Sequence, residues 1–349
     1  MTASRWVARV RAPAAKVAAG VVLPLLAAGG VWGIQGGWFL HISLLDVNFA
    51  LITLLAALAL HLLTGRAGLI SIGSAGFYAL GAALGGLFGT RLELPFLAVL
   101  ALGLAVGALV GAVVGLPSLS LKGLYALLAT LAFHFIAVFA YLEYSDTFGY
   151  AGIGYPPVSV FGYPIDTDIA WYGLLMAITI LVVYAVGSLS RGRQGRVLVA
   201  IRDQEFAAAA AGINVGVTKV KVYALSSALT TLAGILYAYY LTTTTVDLFT
   251  LDLAIQLIAI IVIGGSSTVA GSVVGVAIWT ALPKLIETLS NQAGSGWFYD
   301  NKDGFNNVVF GLAIILIIVL RPGGLAEMSM IAARAALVIP RRAPAGRDA

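Results

Sequence analysis

The residue types that carry most protein chemistry are scarce in this chain. There are three histidines (His41, His61, His134) and no cysteine, which excludes disulfides, thiolate metal sites and a cysteine nucleophile. No His-Glu-x-x-His pair exists to hold zinc, and no metal site is expected. A Gly-x-Ser-x-Gly nucleophile elbow is also missing. Nowhere does Lys follow Gly, so there is no phosphate-binding P-loop, and the chain cannot hydrolyse ATP by that route. No Asp, Glu, Lys or Arg sits in the middle of an apolar stretch, where proton- and sodium-coupled carriers usually place a coupling group. His134, set among Phe133, Phe135 and Phe139, is the one titratable group expected inside a span. Buried polar groups find partners, so it reads as an interhelical hydrogen-bonder rather than a proton relay.

The elements that position these residues follow from composition. Of 349 residues 60% are hydrophobic and 10% charged, against roughly 45–50% and 25% in soluble domains. No soluble core could hide that apolar surface, so lipid is the solvent, and with so few charges nucleic acid is not a partner. The expected fold is an all-α, polytopic membrane bundle of about ten helices, some short or broken. A span needs about 20 apolar residues, and candidates fall at 13–32, 43–63, 68–88, 95–116, 124–141, 169–189, 222–240, 251–265, 269–286 and 305–320. The first stretch also fits a secretory signal, which would leave the other spans unchanged.

Charge orients the bundle. With a cytoplasmic N-terminus, the inside segments (the N-terminus, 64–67, 117–123, 190–221, 266–268 and 321–349) hold 17 of the 20 Lys and Arg residues; only Arg91, Lys284 and Lys302 fall outside. Such a Lys and Arg bias marks the cytoplasmic side. Both termini are expected inside: residues 1–12 form an N-terminal tail, 13–320 the membrane domain with the cytoplasmic loop 190–221, and 321–349 a C-terminal tail.

Glycines recur at four-residue spacing, as Gly81, Gly85, Gly89 and as Gly103, Gly107, Gly111, Gly115. Such rows let neighbouring backbones approach closely; packing is the plainer reading, sliding of helices the functional one. Gly68 to Gly76 and Ile263 to Gly271 are Gly/Ser clusters at membrane depth. Interrupted helices there must line a cavity or be buried in protein; a short hairpin turn is the alternative for the second. Polar residues on or beside these segments and the central span (Ser71, Ser74, Tyr78, Tyr125, Thr130, His134, Ser266 and Ser267) are the candidate lining of a solute path.

The 190–221 loop is the most informative segment. Residues 197–211, ending Ala207 to Ala211, favour helix, with Gly212 as stop and Asn214 as turn former. A small-residue face allows another protein close approach; a membrane-surface helix anchored by Arg191, Arg193, Arg196 and Arg202 is the alternative.

Ala200-Ile201-Arg202-Asp203-x-Glu205-x-Ala207-Ala208-x-x-x-Gly212-Ile213-Asn214 resembles the "EAA" loop of ABC-importer permeases, and more narrowly the LivM-type permeases of branched-chain amino acid uptake. Four further motifs follow in that family's order. They are Gly68-x-x-Ser71-x-Gly73-x-Ala75-x-Phe77-x-x-x-Gly81-Ala82, Leu121 to Tyr125 with Thr130 to Phe133, Gly264-Gly265 with Gly271 and Gly275, and Arg321-Pro322-Gly323-Gly324-Leu325. The resemblance covers about 45–325. The chain departs from the family at Ser74, where His is common, and at His134-Phe135, where Gly-Glu is common; related permeases carry urea, short amides or other amino acids.

The resemblance implies a non-enzymatic permease subunit in the bacterial plasma (inner) membrane. Arg202, Asp203, Glu205, Ala208 and Gly212 would dock on a separate ATPase, with the carboxylates facing basic residues of that partner. The chain would bind no cofactor; ATP and Mg belong to two ATPase subunits, working with a second, LivH-like permease and an extracytoplasmic solute-binding protein. An acidic, aromatic outer surface (Asp146, Asp166, Asp168, Asp247, Asp300, Asp303; Tyr150, Tyr155, Phe161, Tyr163) would receive the latter. A self-contained secondary carrier, the alternative, would have to draw its ion site from His134, Asp46 or Asp252.

Overall fold

The computed structural model describes residues 43–119, 123–147, 152–160 and 162–293, and isolated positions between 304 and 315. The expected spans 13–32 and 305–320, both tails, Tyr150, Phe161, Asp300, Asp303 and the closing Arg321 to Leu325 motif fall outside the described residues, apart from those isolated positions. In chain order the helices are α1 (Leu44–Leu60), α2 (Ser74–Gly86), α3 (Phe96–Gly115), α4 (Leu124–Asp146), α5 (Asp168–Arg191), α6 (Arg193–Asp203), α7 (Glu205–Ala210), α8 (Val215–Leu241), α9 (Leu251–Gly264) and α10 (Val269–Ala293). π-helical turns at His61–Arg66 and Leu87–Arg91 extend α1 and α2. Among the described residues six helices are long and apolar enough to cross a membrane: Leu44–Arg66, Phe96–Gly115, Tyr125–Asp146, Asp168–Arg191, Val215–Leu241 and Val269–Thr288, with Leu251–Gly264 apolar but shorter.

Local sequence sets the boundaries. Ser43 and Asp46 form a reciprocal capping box on α1. Thr167 caps α5, and the Asn214 side chain caps α8 by accepting from Val217 N at 3.1 Å. The fold is not purely helical. Short antiparallel pairs, β1 (Ile153–Gly154) with β4 (Thr243–Thr244) and β2 (Val158–Val160) with β3 (Tyr163–Ile165), close one end of the bundle. Pro156 and Pro157 cannot continue a helix there, and Gly162 turns the second pair with a φ of 84°.

Helix α8 is the hub. It and α1 are buried along most of their length, whereas α3, α4 and α5 turn most of their side chains outward, as helices buried in protein and helices facing lipid should. The α3 glycines lie against α8 in antiparallel order: a β-carbon at Gly103 would collide with Ile235, at Gly107 with Thr231, at Gly111 with Ser227 and at Gly115 with Tyr223. Gly234 of α8 presses in turn on the backbone of Tyr78 in α2, where an added β-carbon would lie 2.8 Å from Tyr78 Cα. The glycine rows are packing surfaces that hold α2 and α3 against one helix.

The two ends of the bundle differ. One gathers Arg66, Gly68, α6, α7 and the start of α8, with Arg66 close enough to Arg191 and Arg202 to feel their charge. The other carries the strand pairs, and there Asn48 Nδ2 donates to the Asp168 carbonyl and the Tyr240 hydroxyl, each at 3.1 Å. The ends sort with the Lys/Arg bias of the sequence.

Candidate coupling surface and translocation site

At the basic end the expected single helix over 197–211 is two helices. Gln204, with φ −153° and ψ 93°, breaks the chain between α6 and α7. Good helix formers do not prevent this, because two in-chain contacts pull the halves apart. Arg202, at the end of α6, donates from its guanidinium to the Gly65 carbonyl and lays its side chain over Gly68. Glu205, the first residue of α7, accepts from Lys219 Nζ at 2.9 Å, and the Lys219 side chain is only 7% exposed. The Glu205 carboxylate is thus engaged within the chain rather than free to meet a basic partner residue. Ala208 also faces inward, being 4% exposed. The outward surface is formed instead by Phe206, Ala207, Ala209, Ala210, Ala211 and Gly212, with Asp203 exposed beside it. Gly212 has a φ of 81°, and among the described residues nothing beyond its chain neighbours lies within 4 Å of where its β-carbon would be.

This surface is tied to the interior through the end of α1. His61 is fully buried and its Nδ1 lies 2.7 Å from the Ser266 carbonyl; a carbonyl only accepts, so Nδ1 carries the proton. Gly65 packs on the backbone of the same Ser266. Both contacts fall in the π-helical turn His61–Arg66, a local widening of the helix that recurs at functional sites. His61, not only His134, is therefore an imidazole inside a span.

The two interrupted segments differ. Residues 67–73 run non-helically from the basic end to the start of α2, with Gly68 at φ 71°. Ile72 N donates to Thr130 Oγ1 at 3.2 Å, and a β-carbon on Gly76 would lie 2.8 Å from His134 Cα, midway along α4. Residues 265–268 are a tight turn between α9 and α10, in which Gly264, Gly271 and Gly275 meet opposing backbone.

Of the candidate path residues, Ser71, Ser74, Tyr78, Thr130 and His134 are buried at the α2–α4–α8 contact. Ser266 and Ser267 lie at the turn, Ser267 exposed, and Tyr125 is 67% exposed on the outer face of α4. The structure brings Ser71, Ser74, Thr130 and His134 to the contact of α2 with α4, sets Tyr78 against Gly234 and Tyr237 of α8, and leaves Tyr125 and Ser267 apart. It adds Ser226, Ser227 and Thr230 of α8, which with Ser71 and Ser74 line a small void. Their signal was a pair of serines and a pair of threonines, four residues apart, in an otherwise apolar span.

At the opposite end Tyr155 is buried, not displayed: its hydroxyl donates to the Ala82 carbonyl at 3.0 Å and contacts Thr244 Oγ1 at 2.8 Å, and burial raises its pKa. Tyr163 is 76% exposed. A cleft of about 830 Å³ opens there, lined among others by Glu93, Tyr155, Tyr239 and Thr242. Glu93 (φ 49°) and Thr242 (φ 62°) are the two non-glycine residues with positive φ among the described residues. Left-handed backbone at a β-branched residue is uncommon and gathers at functional surfaces.

A helical bundle with apolar spans, glycine-packed hub, interrupted segment and buried hydroxyls defines a multi-pass membrane protein. The chain belongs to the family of permease components of branched-chain amino acid transport systems, whose model matches residues 45–319. Over 320 residues it is 25% identical to the high-affinity branched-chain amino acid transport system permease protein LivM of Salmonella typhimurium and 24% identical to LivM of Escherichia coli; each match covers 84% of this chain and 72% of the relative. It is also 32% identical over 155 residues to the inner membrane ABC transporter permease protein YjfF of Escherichia coli, covering 43% of this chain and 44% of that one. No solved structure matches it. It is a transport component of an ABC system with other subunits and not itself an enzyme, and it resides in the inner membrane.

Proposed function

We propose that this chain is the permease of an ATP-driven importer for branched-chain amino acids, with ten spans and both termini in the cytoplasm. It pairs with a second, LivH-like permease, two ATPase subunits that hold ATP and Mg, and an extracytoplasmic solute-binding protein. The observation that carries the reading is the exposed Phe206–Gly212 surface at the basic end: small side chains that leave room for a cleft on another protein, around one aromatic anchor that is 79% exposed. Arg202, bonded to Gly65, and His61, bonded to Ser266, link that surface to α1 and the α9–α10 hairpin, so displacement of α7 is passed into the membrane. The outer cleft beside Glu93 suits a loop of the solute-binding protein.

The test is co-purification of the ATPase beside uptake of labelled leucine. Phe206→Asp is expected to lower ATPase recovery roughly tenfold, as loss of an interface anchor does, and to abolish uptake at normal membrane level. Gly212→Trp should do the same: its positive φ costs about 1 kcal/mol, and its β-carbon has open space around it among the described residues, so a loss well beyond that strain reports on the partner. Glu205→Lys is a poorer probe, because it also breaks the pair with Lys219. Full ATPase binding and uptake in both Phe206→Asp and Gly212→Trp would remove the proposal.

A further inference from the structure

We infer that the start of α2 is a carboxylate-binding subsite for the transported solute. The inference rests on the proposed importer function and adds the chemical group that the interior recognises. Helix α2 begins at Ser74 in the membrane interior, against the middle of α4, and no side chain caps it: its N-cap is Gly73. The first N–H groups of a helix have no partner within it and form the positive end of its dipole. At a surface water satisfies them; inside a membrane an anionic group is the natural occupant.

A second, independent feature points to the same spot. Ser74 is 3% exposed, and its buried hydroxyl has no hydrogen-bond partner among the described residues. It lines a void whose other walls include Ser71, Ser226, Ser227 and Thr230. Two of these hydroxyls have spent their protons: Ser226 Oγ donates to the Ala59 carbonyl at 2.8 Å and Thr230 Oγ1 to the Ser226 carbonyl at 2.9 Å. Ser71 Oγ accepts from Gly73 N at 3.2 Å and keeps its O–H, so it stands beside Ser74 as a second donor on the wall of the void. The void measures about 10 Å³, scarcely room for one water, so this conformation is closed and the carboxylate is held when α2 and α8 part. Among the described residues no Lys or Arg lines the void. A zwitterion therefore binds by backbone dipole and hydroxyl, without a buried cation that would hold its carboxylate too tightly for release.

Ser74→Ala and Ser74→Asp, in the full complex reconstituted with ATPase and solute-binding protein, test the inference. Ser74→Ala removes one hydrogen bond to a charged group and is expected to lower labelled-leucine uptake at least roughly tenfold, with complex yield unchanged. Ser74→Asp places the chain's own carboxylate at the helix start and should abolish uptake in an assembled complex. Thr179→Val, which removes another buried, partnerless hydroxyl far along α5, should transport like wild type. If Ser74→Ala transports at the wild-type rate, the subsite is refuted, whatever the fate of Ser74→Asp. Equal losses in Ser74→Ala and Thr179→Val would refute it as well, by making the effect one of packing. A wild-type complex that assembles yet moves no leucine would overturn the importer reading and the subsite with it.

Discussion

Residues 67–73 and 265–268 are similar Gly/Ser interruptions, and the molecule uses them oppositely. In the second, glycine is needed because backbone fills the place of its β-carbon. Gly264 packs on Gly271, Gly271 on Gly265 and Gly275 on Ile260, all main chain to main chain, while Ser267 is left outside. In the first, the serines are the buried residues, and Gly68 is needed only for its φ of 71° and the Arg202 side chain lying over it. A Gly/Ser cluster at membrane depth is thus a close-packed turn when its glycines face backbone. It is a polar site when its serines are buried with a hydroxyl left over, as at Ser74.

That contrast can be broken at several points. The largest effect is expected from Gly271→Leu. Its side chain would have to displace the opposing main chain of α9, a cost of at least about 3 kcal/mol, so the folded protein recovered from membranes should fall to near zero in detergent size-exclusion profiles. Arg202→Ala comes next. It removes the bond to Gly65 and the cover over Gly68 while leaving the Phe206–Gly212 surface in place. ATPase recovery should stay near wild type while leucine uptake falls about fivefold, roughly 1 kcal/mol of lost coupling. Arg202→Lys should rescue it poorly, since an ammonium does not reproduce the guanidinium's planar reach. His61→Phe leaves the Ser266 carbonyl unbonded, which should lower thermal stability by about 1–3 kcal/mol, with a matching drop in melting temperature. The smallest effect is expected at Ser267→Ala: an exposed turn hydroxyl should cost within about 0.5 kcal/mol and leave uptake unaltered.

Much of the architecture was legible because its causes are local. Apolar runs mark the expected spans 43–63, 95–116, 169–189 and 222–240, which overlap the helices 44–66, 96–115, 168–191 and 215–241, and the turn former Asn214 sits where α8 starts. The glycine rows announced close packing, though not that α8 receives both of them. Pairings between distant residues were not legible. Glu205 looked like a free charge because Lys219 is fourteen residues away across a turn, and Gln204 looked helical because nothing local breaks the chain there. His61 was overlooked because its partner is a backbone carbonyl 205 residues on, and a carbonyl leaves no mark in a sequence. Tyr155 was read as a surface aromatic because the strand pair that buries it joins residues 153–154 to 243–244. The candidate path was half legible: Ser71 and Ser74 stood out in their motif, whereas Ser226, Ser227 and Thr230 needed the fold to bring them opposite.

The central claim is that the α7 surface faces an ATPase in the cytoplasm while the strand-capped end faces outward. The chain contains no cysteine, so a single introduced thiol is unique. Ala210→Cys and Tyr163→Cys, both at exposed positions, can be compared in intact cells with a membrane-impermeant maleimide added outside, and in isolated membranes with a thiol-to-amine cross-linker. The account predicts that Tyr163→Cys is labelled from outside and does not cross-link to the ATPase, whereas Ala210→Cys is shielded in cells and cross-links to the ATPase in membranes. Labelling of Ala210→Cys from outside, or cross-linking of the ATPase at Tyr163→Cys instead, would contradict it.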